Sequence, residues 1–283
     1  MYDYWVAIII GIVEGLTEFL PVSSTGHMIL TQALLNINES DQMMKVFEIV
    51  IQLGAILAVV LIYWRRIIDL LGPKRLKEAY QIVRRGFRST DKQKGQKMNV
   101  IHILVGIVPV MLLAFLLNDF IDEYLFSPVT VLIGLVLGGI LLIAGEKQDN
   151  SKMIQDLDGI TYKQAFVIGL YQILSLWPGF SRSGSTIAGG MLSGVSRKAS
   201  ADFTFIMAIP IMFAATGYSL LKHLQHFSGD VIGFFAVGFV VSFIVALLAV
   251  VTFIKLVQSM KLTYFAYYRF LLALVFGIYL WFR

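Results

Sequence analysis

Long apolar runs, interrupted at two places by clusters of small and polar residues, set the pattern of this chain. Six runs are long and apolar enough to cross roughly 30 Å of hydrocarbon as helices: Met44–Trp64, Val100–Leu117, Val129–Gly145, Phe203–Leu221, Val231–Ile254 and Tyr264–Phe282. Two further apolar runs are too short. Trp5–Leu20 is stopped by Pro21 and then Ser23-Ser24-Thr25-Gly26-His27, and Tyr162–Trp177 is stopped by Pro178 and then Gly179-Phe180-Ser181-Arg182-Ser183-Gly184-Ser185-Thr186. Each resumes as a short stretch rich in small residues, Met28–Leu35 and Ile187–Leu192. A helix that enters, breaks at a polar turn and leaves again predicts a re-entrant hairpin, over 5–35 and 162–192. Irregular backbone at membrane depth is tolerated only where protein or a wet cavity surrounds it.

The two interrupted regions are related. A shift of 158 residues superposes Ala7 on Ala165, Gly11 on Gly169, Ser23 on Ser181, Gly26 on Gly184 and Phe47 on Phe205. Matches of Leu or Ile are cheap in an apolar chain; matches of Gly and Ser inside the turns are not. Each copy holds one hairpin and three spans, 1–145 and 160–283. An odd number of spans inverts the second copy relative to the first, so the broken helices of both halves meet near the midplane. The predicted fold is therefore all-α: a single polytopic membrane domain with an inverted-topology repeat, six transmembrane helices and two re-entrant hairpins.

Composition agrees. Of the 283 residues, 58% are hydrophobic and 14% charged, against about 25% charged in a soluble domain. The absence of cysteine excludes a disulfide scaffold, a thiolate metal site and a cysteine nucleophile. The first residues, Met1-Tyr2-Asp3-Tyr4-Trp5, lack a basic region, so no cleavable targeting segment is expected. The net charge of +5 hides an asymmetry: Arg65–Lys97 holds 11 Lys or Arg against 3 Asp or Glu, which leaves the rest slightly acidic. This reads as a basic cytoplasmic loop between spans, with no nucleic-acid role. The acidic loop Asn118–Glu123 then falls outside, Gly145–Lys163 inside and Lys222–Asp230 outside. The first hairpin dips in from outside and the second from inside.

The chemistry sits in the interruptions. Glu14 and Glu18 are four residues apart and share a helix face. A carboxylate near the centre of a membrane costs on the order of 2.5–3.5 kcal/mol, and two adjacent anions repel. A hard divalent cation, Mg²⁺ or Ca²⁺, relieves both costs because it takes carboxylate oxygens. The turn that follows carries Ser23, Ser24, Thr25 and His27, with Gly26 allowing a ligand close to the backbone; a hydroxyl beside an imidazole makes a nucleophile and base pair. In the second turn Arg182 is the sole cation of the run from Gln164 to Val195. Its fork of donors matches a phosphate oxygen pair. Ser181, Ser183, Gly184 and Thr186 add hydroxyl and backbone donors at the start of a helix. Glu48 and Gln52 share a face of the first full span and are expected to back these groups. Arg197 and Asp202 are read as flanking a span, Arg269 as a side chain snorkelling near a membrane end, and His102 and Pro109 as span structure. Carboxylates, hydroxyls, an imidazole and a guanidinium together suit phosphoryl transfer.

Glu14-Gly15-Leu16-Thr17-Glu18-Phe19-Leu20-Pro21-Val22-Ser23-Ser24-Thr25-Gly26-His27 and Pro178-Gly179-Phe180-Ser181-Arg182-Ser183-Gly184-Ser185-Thr186 resemble the two signature motifs of the bacterial undecaprenyl-diphosphate phosphatase family, also called the bacitracin-resistance protein family. The resemblance extends to Val46–Ala58 and to the length of the chain. It implies an enzyme that hydrolyses undecaprenyl diphosphate to undecaprenyl phosphate and inorganic phosphate, recycling the lipid carrier of cell-wall synthesis. It also implies a divalent-cation requirement, six spans with two re-entrant hairpins, residence in the cytoplasmic membrane, and a site open to its outer face. Bacitracin would compete for the same lipid, and a homo-oligomer is compatible. Carried over, the carboxylate pair falls on Glu14 and Glu18, the hydroxyl on Ser24, the histidine on His27 and the arginine on Arg182. Ser24 would attack the terminal phosphorus, with His27 or Glu18 taking its proton; attack by water, with Ser24 as a binding group, is the competing mechanism. The type-2 phosphatidic acid phosphatase pattern does not fit, because Ala188 stands where its histidine is required and no Arg-Pro occurs. A secondary transporter or flippase of a prenyl phosphate lipid is the alternative from another class, since inverted repeats with broken midplane helices are also built into transporters.

Overall fold

In the computed structural model, residues 2–37, 41–85, 97–125, 127–148, 153–222 and 232–282 are described, and among them the regular elements are helices, with one isolated bridge pairing Ile154 and Val195. In chain order they are α1 Tyr4–Thr17, α2 Ser24–Leu34, α3 Gln42–Ile62, α4 Trp64–Leu71, α5 Pro73–Arg85, α6 Val100–Phe120, α7 Pro128–Glu146, α8 Tyr162–Gln172, α9 Arg182–Leu192, α10 Arg197–Lys222, α11 Ile232–Leu256 and α12 Thr263–Phe282. Six of these (α3, α6, α7, α10, α11 and α12) are long and apolar enough to cross a membrane, and they coincide with the six predicted runs to within a few residues at most ends. The largest difference is α10, which starts at Arg197 rather than near Phe203. Ser196 explains it: its hydroxyl accepts from the Ala199 N–H at 3.3 Å, so the helix is capped before the apolar run begins. Of the predicted polar loops, residues 86–96 of Arg65–Lys97, 149–152 of Gly145–Lys163 and 223–230 of Lys222–Asp230 lie outside the described residues.

The two short segments also break differently from the sequence expectation. α1 closes at Thr17, with Glu18 as its C-cap, three residues before Pro21. α8 closes at Gln172 and runs into a 3₁₀ turn over Ile173–Leu176. The following helices start earlier than the apolar residues do. Ser23 and Ser181 take φ of 72° and 71°, and each accepts with its hydroxyl from a backbone N–H of the turn it opens, Gly26 at 3.4 Å and Gly184 at 3.2 Å. The hydroxyls, His27 and Arg182 therefore stand on the first turns of α2 and α9, where the unpaired N–H groups of a helix gather, rather than in irregular loops.

Large apolar side chains lie both inside and outside the bundle, and selected polar groups are fully enclosed among the inner ones. Phe115, Trp281 and Phe282 are each more than 80% exposed, whereas Glu14, Ser183, Thr186, Thr204 and Arg269 are at most 2% exposed. Between apolar helices in lipid, burial supplies little drive, so close backbone approach and polar contacts carry association. α1 rides on α11 this way: a Cβ at Gly15 would come within 2.7 Å of the Ser242 carbonyl, and one at Gly11 within 2.8 Å of the Gly238 carbonyl. α3 meets the same helix through Gly54, and the Ser242 hydroxyl donates to the Ile51 carbonyl at 2.8 Å.

At one end of the bundle, polar pairs lock the connections. Arg197 and Asp202 do more than flank a span. Arg197 binds Glu146 at 3.2 Å and donates to the Met260 carbonyl at 2.6 Å, while Asp202 accepts from the Tyr63 hydroxyl at 2.6 Å. His102 stacks on Tyr162 and bonds to Asn99. Asp158 pairs with Arg66 and accepts from the Met98 N–H at 3.1 Å. Partial burial pushes the Asp158 carboxyl up, but the Arg66 bonds and charge and the Met98 N–H outweigh it and hold the group below its ordinary range.

Two outcomes follow from this packing. Gly15→Val should destabilise the protein by about 1–3 kcal/mol through overpacking, seen as a lower Tm in detergent; an unchanged Tm would mean that α1 does not ride on α11. For Asp158, a folded pKa below the unfolded one means the unfolded state binds more protons, so its contribution is complete above the ordinary carboxylate pKa of about 4 and fades as pH falls through the depressed folded value. Asp158→Asn should thus lower Tm at neutral pH, and the gap to the wild type should close in acid.

Candidate active site

The turns after α1 and α8 meet inside the bundle, joined first through Glu18. Its Oε2 accepts from the Ser24 hydroxyl at 2.6 Å, and its Oε1 accepts from Arg182 Nη2 at 2.8 Å. One carboxylate thus ties the first residue of α2 to the first residue of α9, which lies 164 positions beyond Glu18 in sequence. A second strut lies beside it: the Ser183 hydroxyl donates to the Leu20 carbonyl at 2.9 Å. The Phe19 ring lies 5.6 Å from the Arg182 guanidinium carbon, adding the attraction of its π face. Arg182 Nη1 is buried and has no protein partner among the described residues.

Two cavities open at this junction. The smaller, about 160 Å³, is lined by Glu18, Ser23, Ser24, Thr25, Gln52, Ser181 and Arg182, with Trp177 to Gly179 closing one side. The larger, about 650 Å³, is lined by Glu14, Ser24, Thr25, Gln32, Lys45, Glu48 and Gln52 together with apolar residues. Ser24, Thr25 and Gln52 belong to both walls. Glu14 is 2% exposed and its Oε1 has no partner among the described residues. Glu48 is engaged by the Gln32 side-chain amide. Glu48 and Gln52 therefore line the space directly, one helical turn apart on α3, instead of backing other groups.

Several residues lie elsewhere than their motif suggested. Thr186 is fully buried; its hydroxyl donates to the Arg182 carbonyl at 2.9 Å and accepts from Thr204 at 2.8 Å, so it stabilises α9 against α10 and does not face either cavity. Gly26 packs on Leu135 of α7, and Gly184 lies beside Arg269. His27 makes no hydrogen bond to Ser24. Its Nδ1 lies 2.7 Å from the Ser23 carbonyl, to which it donates, and Nε2 then accepts from the Tyr268 hydroxyl at 2.6 Å. The hydroxyl of Ser24 is accordingly held by Glu18 rather than by the imidazole.

Arg269 is the residue that sequence reasoning misjudged. It does not snorkel: it is fully buried on α12, with its guanidinium bound to the carbonyls of Gly134, Leu135, Gly179 and Phe180 at 2.8–3.1 Å. The available signal was an arginine inside an apolar run, which marks a functional position in a membrane segment; its nearness to the end of the run favoured the wrong reading. Tyr268, Gln32 and Lys45 carried no such signal.

The sequence profile of the family described as Bacitracin resistance protein BacA matches residues 7–275. The chain belongs to this family. Similar proteins include the undecaprenyl-diphosphatase of Bacillus subtilis (strain 168), 47% identical over 279 residues covering 97% of each chain. The undecaprenyl-diphosphatase of Geobacillus kaustophilus (strain HTA426) is 50% identical over 277 residues and 96% of each chain. Undecaprenyl-diphosphatase 1 of Bacillus thuringiensis (strain Al Hakam) is 48% identical over 279 residues and 99% of each chain. With six apolar spans and this membership, the BacA-family protein is an integral membrane protein.

The Glu18–Arg182 pair is 10% and 14% exposed on its side chains, so removing one partner strands the other charge. Arg182→Met should cost about 3–5 kcal/mol, and Glu18→Gln/Arg182→Met should recover most of it in unfolding measurements in detergent. Equal destabilisation by the single and double variants would show that the pair does not hold the turns together.

Proposed function

We propose that this protein is the membrane phosphatase that hydrolyses undecaprenyl diphosphate to undecaprenyl phosphate and inorganic phosphate, recycling the lipid carrier for cell-wall synthesis and conferring resistance to bacitracin. The observation that carries the chemistry is the Ser24–Glu18–Arg182 chain of hydrogen bonds facing a small polar cavity. Full-length similarity to undecaprenyl-diphosphatases supplies the substrate. The diphosphate enters the cavity with its terminal phosphate against the free Nη1 of Arg182 and the Ser181 and Thr25 hydroxyls. Ser24 Oγ attacks the terminal phosphorus as Glu18 Oε2 takes its proton. The bond to the bridging oxygen breaks, undecaprenyl phosphate leaves, and water then releases inorganic phosphate from Ser24. Glu18 replaces His27 as the base we favour, because both imidazole nitrogens are engaged by Ser23 and Tyr268.

A divalent cation, Mg²⁺ or Ca²⁺, suits the donors present. Glu14 has a buried oxygen without a partner among the described residues, and it lines the larger cavity together with Gln52 and Ser24. Among the described residues no cluster of three or more acidic or histidine side chains forms a metal cage. One or two carboxylates completed by water and phosphate oxygens is the usual way Mg²⁺ is held; Glu14 and Glu18 are the residues we assign to it. When bound, the cation neutralises charge developing on the phosphate oxygens.

We further propose that α1–α2 and α8–α9 are the two re-entrant hairpins of an inverted repeat. Their support is the pair of matching caps, Ser23 with Gly26 and Ser181 with Gly184, at nearly equal positive φ. The basic α4–α5 segment favours a cytoplasmic position for that end by the positive-inside rule; on this reading the larger cavity faces outward, where bacitracin would compete for the lipid.

Phosphate release from a C₅₅ or C₁₅ prenyl diphosphate by purified protein in detergent tests this reading. Release should require Mg²⁺ or Ca²⁺, stop with a chelator, and fall by on the order of 10²-fold or more in Arg182→Ala and Glu18→Ala. Folded wild-type protein that releases no phosphate would end the hydrolase reading. Rapid-quench labelling separates the two modes of attack: a phosphoenzyme absent in Ser24→Ala supports the serine nucleophile, and none in the wild type supports direct attack by water.

A further inference from the structure

Arg269 is a buried cation without a counter-charge. Its side chain is fully enclosed, no carboxylate pairs with it among the described residues, and its hydrogen bonds all go to neutral carbonyls. Leaving a guanidinium unneutralised inside a membrane protein is expensive. The remaining nitrogen, Nη1, has no partner among the described residues, and a Cβ built on Gly184 in the first turn of α9 would lie 3.1 Å from it. The unneutralised charge therefore lies directly behind the turn that Arg182 opens.

The bonds it makes also set the backbone of that turn. In a trans peptide the N–H points opposite to the C=O. Arg269 Nη2 takes the Gly179 carbonyl at 2.8 Å and the Phe180 carbonyl at 2.9 Å. The following amides, those of Phe180 and Ser181, are therefore turned away from Arg269. Phe180 N–H is used internally, donating to the Trp177 carbonyl at 3.1 Å. Ser181 N–H has no hydrogen-bond partner among the described residues, and Ser181 lines the small cavity with Arg182. Gly179 adopts φ +89°, a conformation glycine takes without strain. α7 makes room for the guanidinium at Gly138, where a Cβ would collide with Nη2 and come within 2.5 Å of the Phe180 carbonyl.

We infer that Arg269 is a positioning residue for the diphosphate: it aims the Ser181 N–H at a phosphate oxygen and leaves one positive charge behind the turn for the substrate to neutralise. This rests on the phosphatase reading for its substrate, but diphosphate binding tests it separately from turnover. The full-length protein in detergent is titrated with inorganic pyrophosphate by calorimetry, and phosphate release from a prenyl diphosphate is measured in parallel, for wild type, Arg269→Lys, Arg269→Met and Gly138→Ala. Lysine keeps the charge but cannot make the forked contacts; Gly138→Ala keeps the arginine and displaces it. The expected result is a pyrophosphate Kd raised about tenfold or more in both arginine variants and raised less in Gly138→Ala. kcat/KM should fall by on the order of 10–10²-fold as a lost anion donor does, in protein whose Tm shows it folded. A role confined to stability would lower Tm and leave the folded fraction binding normally. Folded Arg269→Lys or Gly138→Ala with wild-type Kd and kcat/KM overturns the proposal, as does a wild type that binds no pyrophosphate. If Arg269→Met fails to fold, the lysine and Gly138→Ala variants decide. Arg269-dependent pyrophosphate binding without phosphate release would preserve the positioning role and end the phosphatase reading.

Discussion

The Glu18–Arg182 ion pair is the constraint around which the interior is organised. In a medium that solvates charge poorly, neither group is stable alone, and each lies at a helix end, Glu18 at the C-cap of α1 and Arg182 in the first turn of α9. Pairing them at 2.8 Å brings together the ends of two short helices that are far apart in the chain. It also fixes the geometry of the candidate site, because the same carboxylate accepts from Ser24 and the same guanidinium keeps one nitrogen without a partner among the described residues. A buried pair of this kind is a weak source of net stability, since desolvation offsets much of the attraction. Its value here is specificity: the fold in which the two turns meet avoids two stranded charges.

Small residues make the meeting possible. Gly11 and Gly15 bring α1 against α11, and the glycine face of α7 admits the second turn and the Arg269 guanidinium beside it. In lipid these close approaches replace the hydrophobic drive that would press helices together in water. The result encloses selected polar groups among buried apolar side chains and leaves other large apolar side chains on the outside. Hydroxyls divide between two tasks accordingly. Those of Ser183, Ser185 and Thr186 satisfy carbonyls of the turns and of α9, while Ser24 and Thr25 face the cavities.

The two arginines split the work that one motif seemed to assign to one. Arg182 faces the cavity and pairs with Glu18; Arg269 lies behind the turn and binds its carbonyls. A phosphate group held between them would meet positive charge from a side chain and from oriented backbone, which costs little reorganisation when charge develops in a reaction.

The sequence by itself determined the class of protein and most of its chemistry. Apolar run length decided the six spans, because the thickness of hydrocarbon admits few alternatives. The motifs named Glu14, Glu18, Ser24 and Arg182, because charged and hydroxyl groups at membrane depth are costly enough to be conspicuous. Only the tertiary structure decided how these groups pair. Whether His27 turns to Tyr268, whether Thr186 faces a ligand or Thr204 of a neighbouring helix, and whether Arg269 reaches the surface or the core all depend on contacts between residues 18 to 241 positions apart. Local pattern records the cost of burying a polar group; it does not record which distant partner meets that cost, because the partner is chosen by how the helices pack.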